Sequence, residues 1–249
     1  IFNRRISVFS ATGTFLRNFS VELPGVAGHR SFSMIWDEGN ITLAIQSAAN
    51  NKIQTVTKTG TLISVFNGNG FGQTQLSPTL SYGAVDPLVI GGKVYVSDSR
   101  GSRFVAFNAL TGEYETESHY GSRFFATALA TDMVGDVYVL NQEGLHKYTP
   151  DGQYISQVLT SANTGSNFLS GDVFVDVDGN IWITGSGTSN QVRKFSSSGV
   201  LLQTIGSAGA GNGQFNSPTS FGFSTTELYV VDSGNNRMQV FDHDGNYLR

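Results

Sequence analysis

A turn glycine that returns six times is the strongest constraint on this chain. Gly13, Gly60, Gly112, Gly152, Gly199 and Gly245 stand 47, 52, 40, 47 and 46 residues apart. Each lies between two short runs of β-forming residues, where a hairpin turn asks for a positive φ that glycine adopts without strain. Ahead of each turn comes one strand type: RISVF, KIQTV, RFVAF, GLHKY, QVRKF and RMQVF. Its first apolar column reads Ile6, Ile53, Phe104, Leu145, Val192 and Met238. Its last reads Phe9, Val56, Phe107, Tyr148, Phe195 and Phe241. Self-similarity at such a period marks a stack of repeated supersecondary units.

Three further strands complete each unit. NITLA, KVYVS, DVYVL, NIWIT and ELYVV precede the last five of these strands. They are apolar on one face, and on the other they hold Thr42, Tyr95, Tyr138, Trp182 and Tyr229. A strand with both faces hydrophobic is covered on both sides. A small-residue strand comes earlier in each unit (SMIWD, GAVD, LATD, FVD, FGFS), and another follows the glycine turn (FLRNF, LISVF, YETES, YISQV, LLQTI). Four strands, repeated and packed face to face, predict an all-β fold, a β-propeller of four-stranded antiparallel blades forming one domain over residues 1–249.

One stretch carries a family likeness. From Gly206 to Asp242 the chain reads GSAGAGNGQFNSPTSFGFSTTELYVVDSGNNRMQVFD, which resembles an NHL repeat in its G-x-G-x-G-Q-F-x-x-P lead-in and its V-D-S-x-N-x-R ending. Weaker copies stand at Asn67 to Pro78 and at Val96 to Phe107. Other units depart from the pattern: Asn141 and Gly185 replace the signature Asp, and Gly144 and Gln191 the signature Arg. The resemblance implies six blades. It implies a structural clasp between Asp232 and Arg237, repeated as Asp98 with Arg103. It also brings three functional options: protein or glycan binding, RNA binding, and metal-dependent lyase or hydrolase chemistry.

Counting strands adds an expectation about closure. Five units are nearly complete, and Arg4–Phe9 with Thr14–Phe19 supply only the outer half of another blade. A six-bladed ring would need two more inner strands, roughly 20 residues by ordinary strand and turn lengths. The polypeptide is therefore expected to continue past Arg249.

The functional options are weighed by residue chemistry. The innermost strands are placed at Phe32–Trp36, Ser81–Val85, Thr127–Thr131, Gly171–Val175 and Thr219–Phe223, and they hold one carboxylate, Asp172. A catalytic metal takes about three converging protein ligands, and these strands cannot supply them. Cysteine is absent, which removes thiolate sites and disulfides. His29, His119, His146 and His243 belong to different units and point to no shared site. Asp176 to Asn180, DVDGN, has the oxygen density calcium takes, but its place between two strands reads more simply as a tight turn. On these grounds no active site, metal or cofactor is expected.

Binding is then the residual reading. A net charge of −4 and only 15 Lys and Arg disfavour a nucleic-acid surface. Arg30, Arg100, Arg103, Tyr120 and Arg123 are placed on one loop face, with Asn190, Asn235 and Asn236 as adaptable polar contacts. Such groups on stiff sheets suit a protein or glycan partner. No apolar run reaches the roughly 18 residues of a membrane helix. The low charge and absent cysteine lean towards an extracellular or cell-surface setting.

Overall fold

Alternating β-branched and aromatic residues, punctuated by turn glycines, leave the chain almost nothing to form but antiparallel strands. The computed structural model describes residues 5–10, 12–20, 29–37, 40–47, 52–67, 85–98, 102–119, 126–164, 171–185 and 189–249. They fall in two units, Ile1–Glu115 and Thr116–Arg249.

The first unit opens with a hairpin of β1 (Arg5–Phe9) and β2 (Phe15–Ser20). A four-stranded sheet follows in chain order: β3 (His29–Asp37), β4 (Asn40–Ser47), β5 (Lys52–Thr57) and β6 (Leu62–Asn67). The next sheet runs β7 (Val85–Ile90), β8 (Lys93–Asp98), β9 (Arg103–Asn108) and β10 (Tyr114–His119).

In the second unit one sheet is β11 (Ala128–Thr131), β12 (Val137–Asn141), β13 (Gly144–Tyr148) and β14 (Tyr154–Thr160). Another is β15 (Val173–Val175), β16 (Ile181–Gly185), β17 (Gln191–Phe195) and β18 (Leu201–Ile205). Between them lies one short helix, α1 (Ser161–Thr164). A short parallel pair, β19 (Ser207–Ala208) with β20 (Gln214–Phe215), leads into β21 (Pro218–Phe223), β22 (Glu227–Asp232) and β23 (Arg237–Asp242). A bridge between Phe241 and Tyr247 begins a fourth strand there. The fold class is the expected one, a β-propeller of four-stranded antiparallel blades.

The sheets of the second unit stack face to face. Tyr138, Leu140, Leu145 and Leu159 of one sheet form a core with Val173, Ile181, Ile183 and Phe195 of the next. From that next sheet Trp182, Val192 and Ile205 form another core with Phe215, Leu228, Val230 and Phe241. Strand β16 thus buries both of its faces, as its aromatic-between-aliphatic pattern required. Burying one such large side chain is worth about 1.5–3 kcal/mol.

The six turn glycines all take positive φ, from +73° at Gly112 to +91° at Gly60. Several also make room for the preceding sheet. A Cβ on Gly199 would lie 2.6 Å from the Val158 carbonyl, and one on Gly152 would lie 2.8 Å from the Glu117 carbonyl. The same junction is hydrogen-bonded: Thr116 Oγ1 donates to the Asp151 carbonyl at 3.1 Å, and Gln203 Nε2 to the Asp244 carbonyl at 2.6 Å. The turns at Gly152, Gly199 and Gly245 therefore dock on the outermost strand before them.

One strand boundary differs from expectation. Of the innermost segment placed at Ser81–Val85, residues 81–84 lie outside the described residues, and β7 runs on to Ile90. Gly91 and Gly92 both hold positive φ, +57° and +76°, and close a tight hairpin that pairs Ile90 directly with Lys93. The strand extends right up to that turn, and Asp86 becomes an innermost-strand residue.

Candidate active site

The two ends of the inner strands differ in chemistry, and the end where β15 and β21 begin is polar. The Asp172 backbone N–H donates to Thr184 Oγ1 at 2.7 Å, and the Thr184 N–H returns to the Asp172 carbonyl at 3.1 Å. This pair anchors the residue just ahead of β15. Its carboxylate reaches the neighbouring sheet: Oδ2 accepts from Ser220 Oγ at 2.7 Å and from the Phe221 N–H at 3.3 Å. Oδ1 accepts from the Val173 N–H at 2.9 Å. Asp172 keeps part of its surface open while sitting deep among protein atoms, and desolvation pushes its pKa up against those three hydrogen bonds. A partly open carboxylate whose pKa is raised in this way is a candidate proton acceptor.

The lower part of the same strands is aromatic. Phe174 stacks on Phe223 at 4.5 Å with an interplanar angle of 19°. Phe223 also meets Trp182 edge-on at 5.2 Å and Phe221 at 5.6 Å. Asp172 was visible in the sequence as the carboxylate of these strands; Ser220, Phe174 and Phe223 were not. The signal that would have found them is register. Phe174 opposes Trp182, and Gly222 opposes Tyr229, which puts Asp172 and Ser220 at the same level of adjoining strands.

The signature residues form a second polar centre. Asp232 pairs with Arg237 across β22 and β23. Its Oδ1 accepts from the Asn216 N–H at 2.7 Å; its Oδ2 accepts from Asn235 Nδ2 at 2.8 Å, Arg237 Nε at 2.9 Å and Gln239 Nε2 at 3.1 Å. Arg237 also donates to the Gly211 and Gln214 carbonyls. Burial alone would raise the Asp232 pKa, but these bonds outweigh it and hold the carboxyl below its ordinary range. Asp98 and Arg103 face each other in the same register, with Nε to Oδ2 at 3.1 Å and both side chains buried. In the two intervening sheets the register partners are Asn141 with Gly144 and Gly185 with Gln191. All of this serves the junction between strands.

Arg30 belongs to β3, while Arg100, Tyr120 and Arg123 lie outside the described residues. Arg103 is buried against Asp98. Asn190, at φ +43°, accepts the Ser217 N–H on its side-chain oxygen at 2.7 Å. Asn235 donates to the Gly209 carbonyl as well as to Asp232. Asn236 takes the left-handed conformation, φ +52°, that ends the 3-10 turn. These three asparagines shape their own loops.

The remaining candidates resolve locally. In DVDGN the Asp176 Oδ1 accepts from the N–H groups of Asp178 and Asn180, and Oδ2 accepts from Asn180 Nδ2 and Trp182 Nε1. Lys194 stands 3.6 Å from that carboxylate and over the Trp182 ring. This is the tight turn. Asp132 repeats the arrangement one sheet earlier, with Tyr138 and Lys147 in the places of Trp182 and Lys194. His119 sits 3.3 Å from Glu117, His146 packs beside Tyr154, and His243 meets the Phe223 ring edge. His29 opens β3. Among the described residues no group of three or more His, Cys, Asp or Glu could hold a metal ion. Among the described residues the donor set does not fit the metal that six-bladed propeller hydrolases imply.

Comparison with known proteins corrects one expectation. Residues 87–248 match the family described as SMP-30/Gluconolactonase/LRE-like region. A crystal structure of a protein of unknown function from Bacteroides caccae, at 1.35 Å resolution, superposes with a TM-score of 0.64. It covers 98% of this chain and 88% of that chain at 13% identity, a likeness of fold alone. No curated protein sequence matches. The match supports the six-bladed propeller part of the resemblance and not its NHL-specific part. The matched family is a lactonase family, and this overturns the expectation that the chain is no enzyme. The match takes in β8 through β23, well over half of the chain, and the chain belongs to the SMP-30/gluconolactonase/LRE-like family.

Proposed function

We propose that the chain is a hydrolase of cyclic esters and that Asp172 is its general base. The observation that carries this reading is the Asp172 carboxylate, raised in pKa by desolvation and held by Ser220 at the polar end of the inner strands, within the family-matched segment. Water approaching Asp172 gives up a proton as its oxygen bonds to the lactone carbonyl carbon. The ring C–O bond breaks, the proton passes to the departing alkoxide oxygen, and a hydroxy acid results. Ser220 Oγ–H, donating to Oδ2, fixes the carboxylate's orientation. No step here runs through a metal.

The base must be ionised to act. Because its pKa is raised, kcat/KM is expected to climb with pH through a value above the ordinary 3.8 of an aspartate and then level off. A pH-stat assay of the full chain against small lactones measures this. Asp172→Asn is expected to lower kcat by roughly 10²–10⁴-fold, the usual contribution of a general base. Turnover unaffected by that substitution, or no turnover of any lactone by the wild type, would defeat the proposal.

A further inference from the structure

The geometry points to a substrate that carries an apolar ring or chain beside its ester, and away from polyhydroxylated sugar lactones. This rests on the lactone-hydrolysing reading of Asp172. Phe174 follows Asp172 by two residues, so both side chains leave the strand on one face, about 7 Å apart by strand rise. Phe174 is 37% exposed although one side of its ring stacks on Phe223. Phe223 is clamped in turn by the edges of Trp182, Phe221 and His243. The platform is therefore stiff.

One neighbour leaves room beside it. The residue opposing Tyr229 in β21 is Gly222, at the level that Phe174 takes opposite Trp182. A Cβ built on Gly222 meets nothing within 4 Å. An apolar ring can lie on Phe174 with its ester carbonyl turned towards Asp172. A sugar lactone would bring several hydroxyls against Phe174 and Gly222, which offer no side-chain hydrogen-bond partner. Desolvating a hydroxyl without a partner is unfavourable.

The test compares dihydrocoumarin with gluconolactone, using the wild type, Phe174→Ala and Phe174→Leu. It adds calorimetric binding of dihydroquinolinone, the lactam counterpart of dihydrocoumarin. The wild type is expected to prefer dihydrocoumarin in kcat/KM. Phe174→Ala should shrink that preference about tenfold, through KM, as loss of an apolar contact does. Phe174→Leu, which keeps bulk at the site, should retain most of it, so the test survives if the alanine variant fails to fold. A wild type that prefers gluconolactone, or a preference unmoved in a folded Phe174→Ala, overturns the proposal. Lactones hydrolysed without lactam binding sinks the ring site alone. Lactam binding that Phe174→Ala abolishes, without hydrolysis of any lactone, supports the ring site and sinks the hydrolytic reading.

Discussion

Two aspartates of the second unit show how placement decides what a carboxylate does. Asp172 and Asp232 each accept several hydrogen bonds from their own sheet and its surroundings, yet their pKa values move in opposite directions. Asp232 has the Asn216 N–H, two side-chain amides and a guanidinium at its oxygens, whereas the donors at Asp172 are one hydroxyl and two backbone N–H groups. The Asn216 N–H, the Asn235 amide and the Arg237 cation together make Asp232 a structural group. Its lowered pKa means that the stability it confers is present above the ordinary 3.8 and is lost as pH falls through the lowered folded value. Asp232→Ala is expected to cost about 3 kcal/mol in urea unfolding at neutral pH, since it strands Asn235, Gln239 and Arg237 around a removed acceptor. Asp232→Asn, which keeps one acceptor oxygen, should cost less and should remove this residue's share of the acid sensitivity. An alanine variant as stable as the wild type would show that the clasp is dispensable.

At the scale of the element, the recurring turn glycine answers two demands that a pair of substitutions separates. Gly13 and Gly199 share φ +83°, but a Cβ on Gly13 meets nothing within 4 Å while one on Gly199 strikes the Val158 carbonyl at 2.6 Å. Gly13→Ala should therefore cost only the left-handed strain of a non-glycine residue, about 1–2 kcal/mol. Gly199→Ala should cost at least about 1 kcal/mol more, because backbone of the preceding sheet must shift. Equal losses in thermal or urea unfolding would mean that the docking of turn on strand carries no weight. These turns were legible in the sequence because positive φ narrows the residue choice to glycine, and the alternation on either side names the strands. Other features were not legible. The inner strand that runs through Val85–Ile90 was ended too soon because Gly-Ala-Val-Asp mimics the small-residue strands of other units, and the Gly91–Gly92 turn was passed over. Ser220 lies 48 residues from Asp172, and a serine on a strand has no local pattern that marks it as a partner. The expectation of no active site counted metal ligands, and that count says nothing about a single carboxylate acting on water.

For the molecule as a whole, the long-range field supplies an independent check on what the site handles. The chain carries a net charge of −4, from 19 Asp and Glu against 15 Lys and Arg. A neutral lactone feels no steering in such a field, so its encounter with the site should not depend on ionic strength. Nucleic-acid binding behaves otherwise, falling steeply as salt replaces the counterions released by each phosphate contact. The product of the proposed lactone hydrolysis is an anion at neutral pH, and it would form beside Asp172. Both the local carboxylate and the overall charge oppose its rebinding. The kcat/KM for an uncharged lactone should therefore change by less than about twofold between low and high salt, where screening is nearly complete. Inhibition by the corresponding hydroxy acid should be weak at low salt and should strengthen as added salt screens the repulsion. Steady-state assays with and without added product, across a salt series at fixed pH, measure both. Tight product inhibition at low salt that relaxes on adding salt would require a positively charged site, which is incompatible with Asp172 as the group that faces the reacting ester.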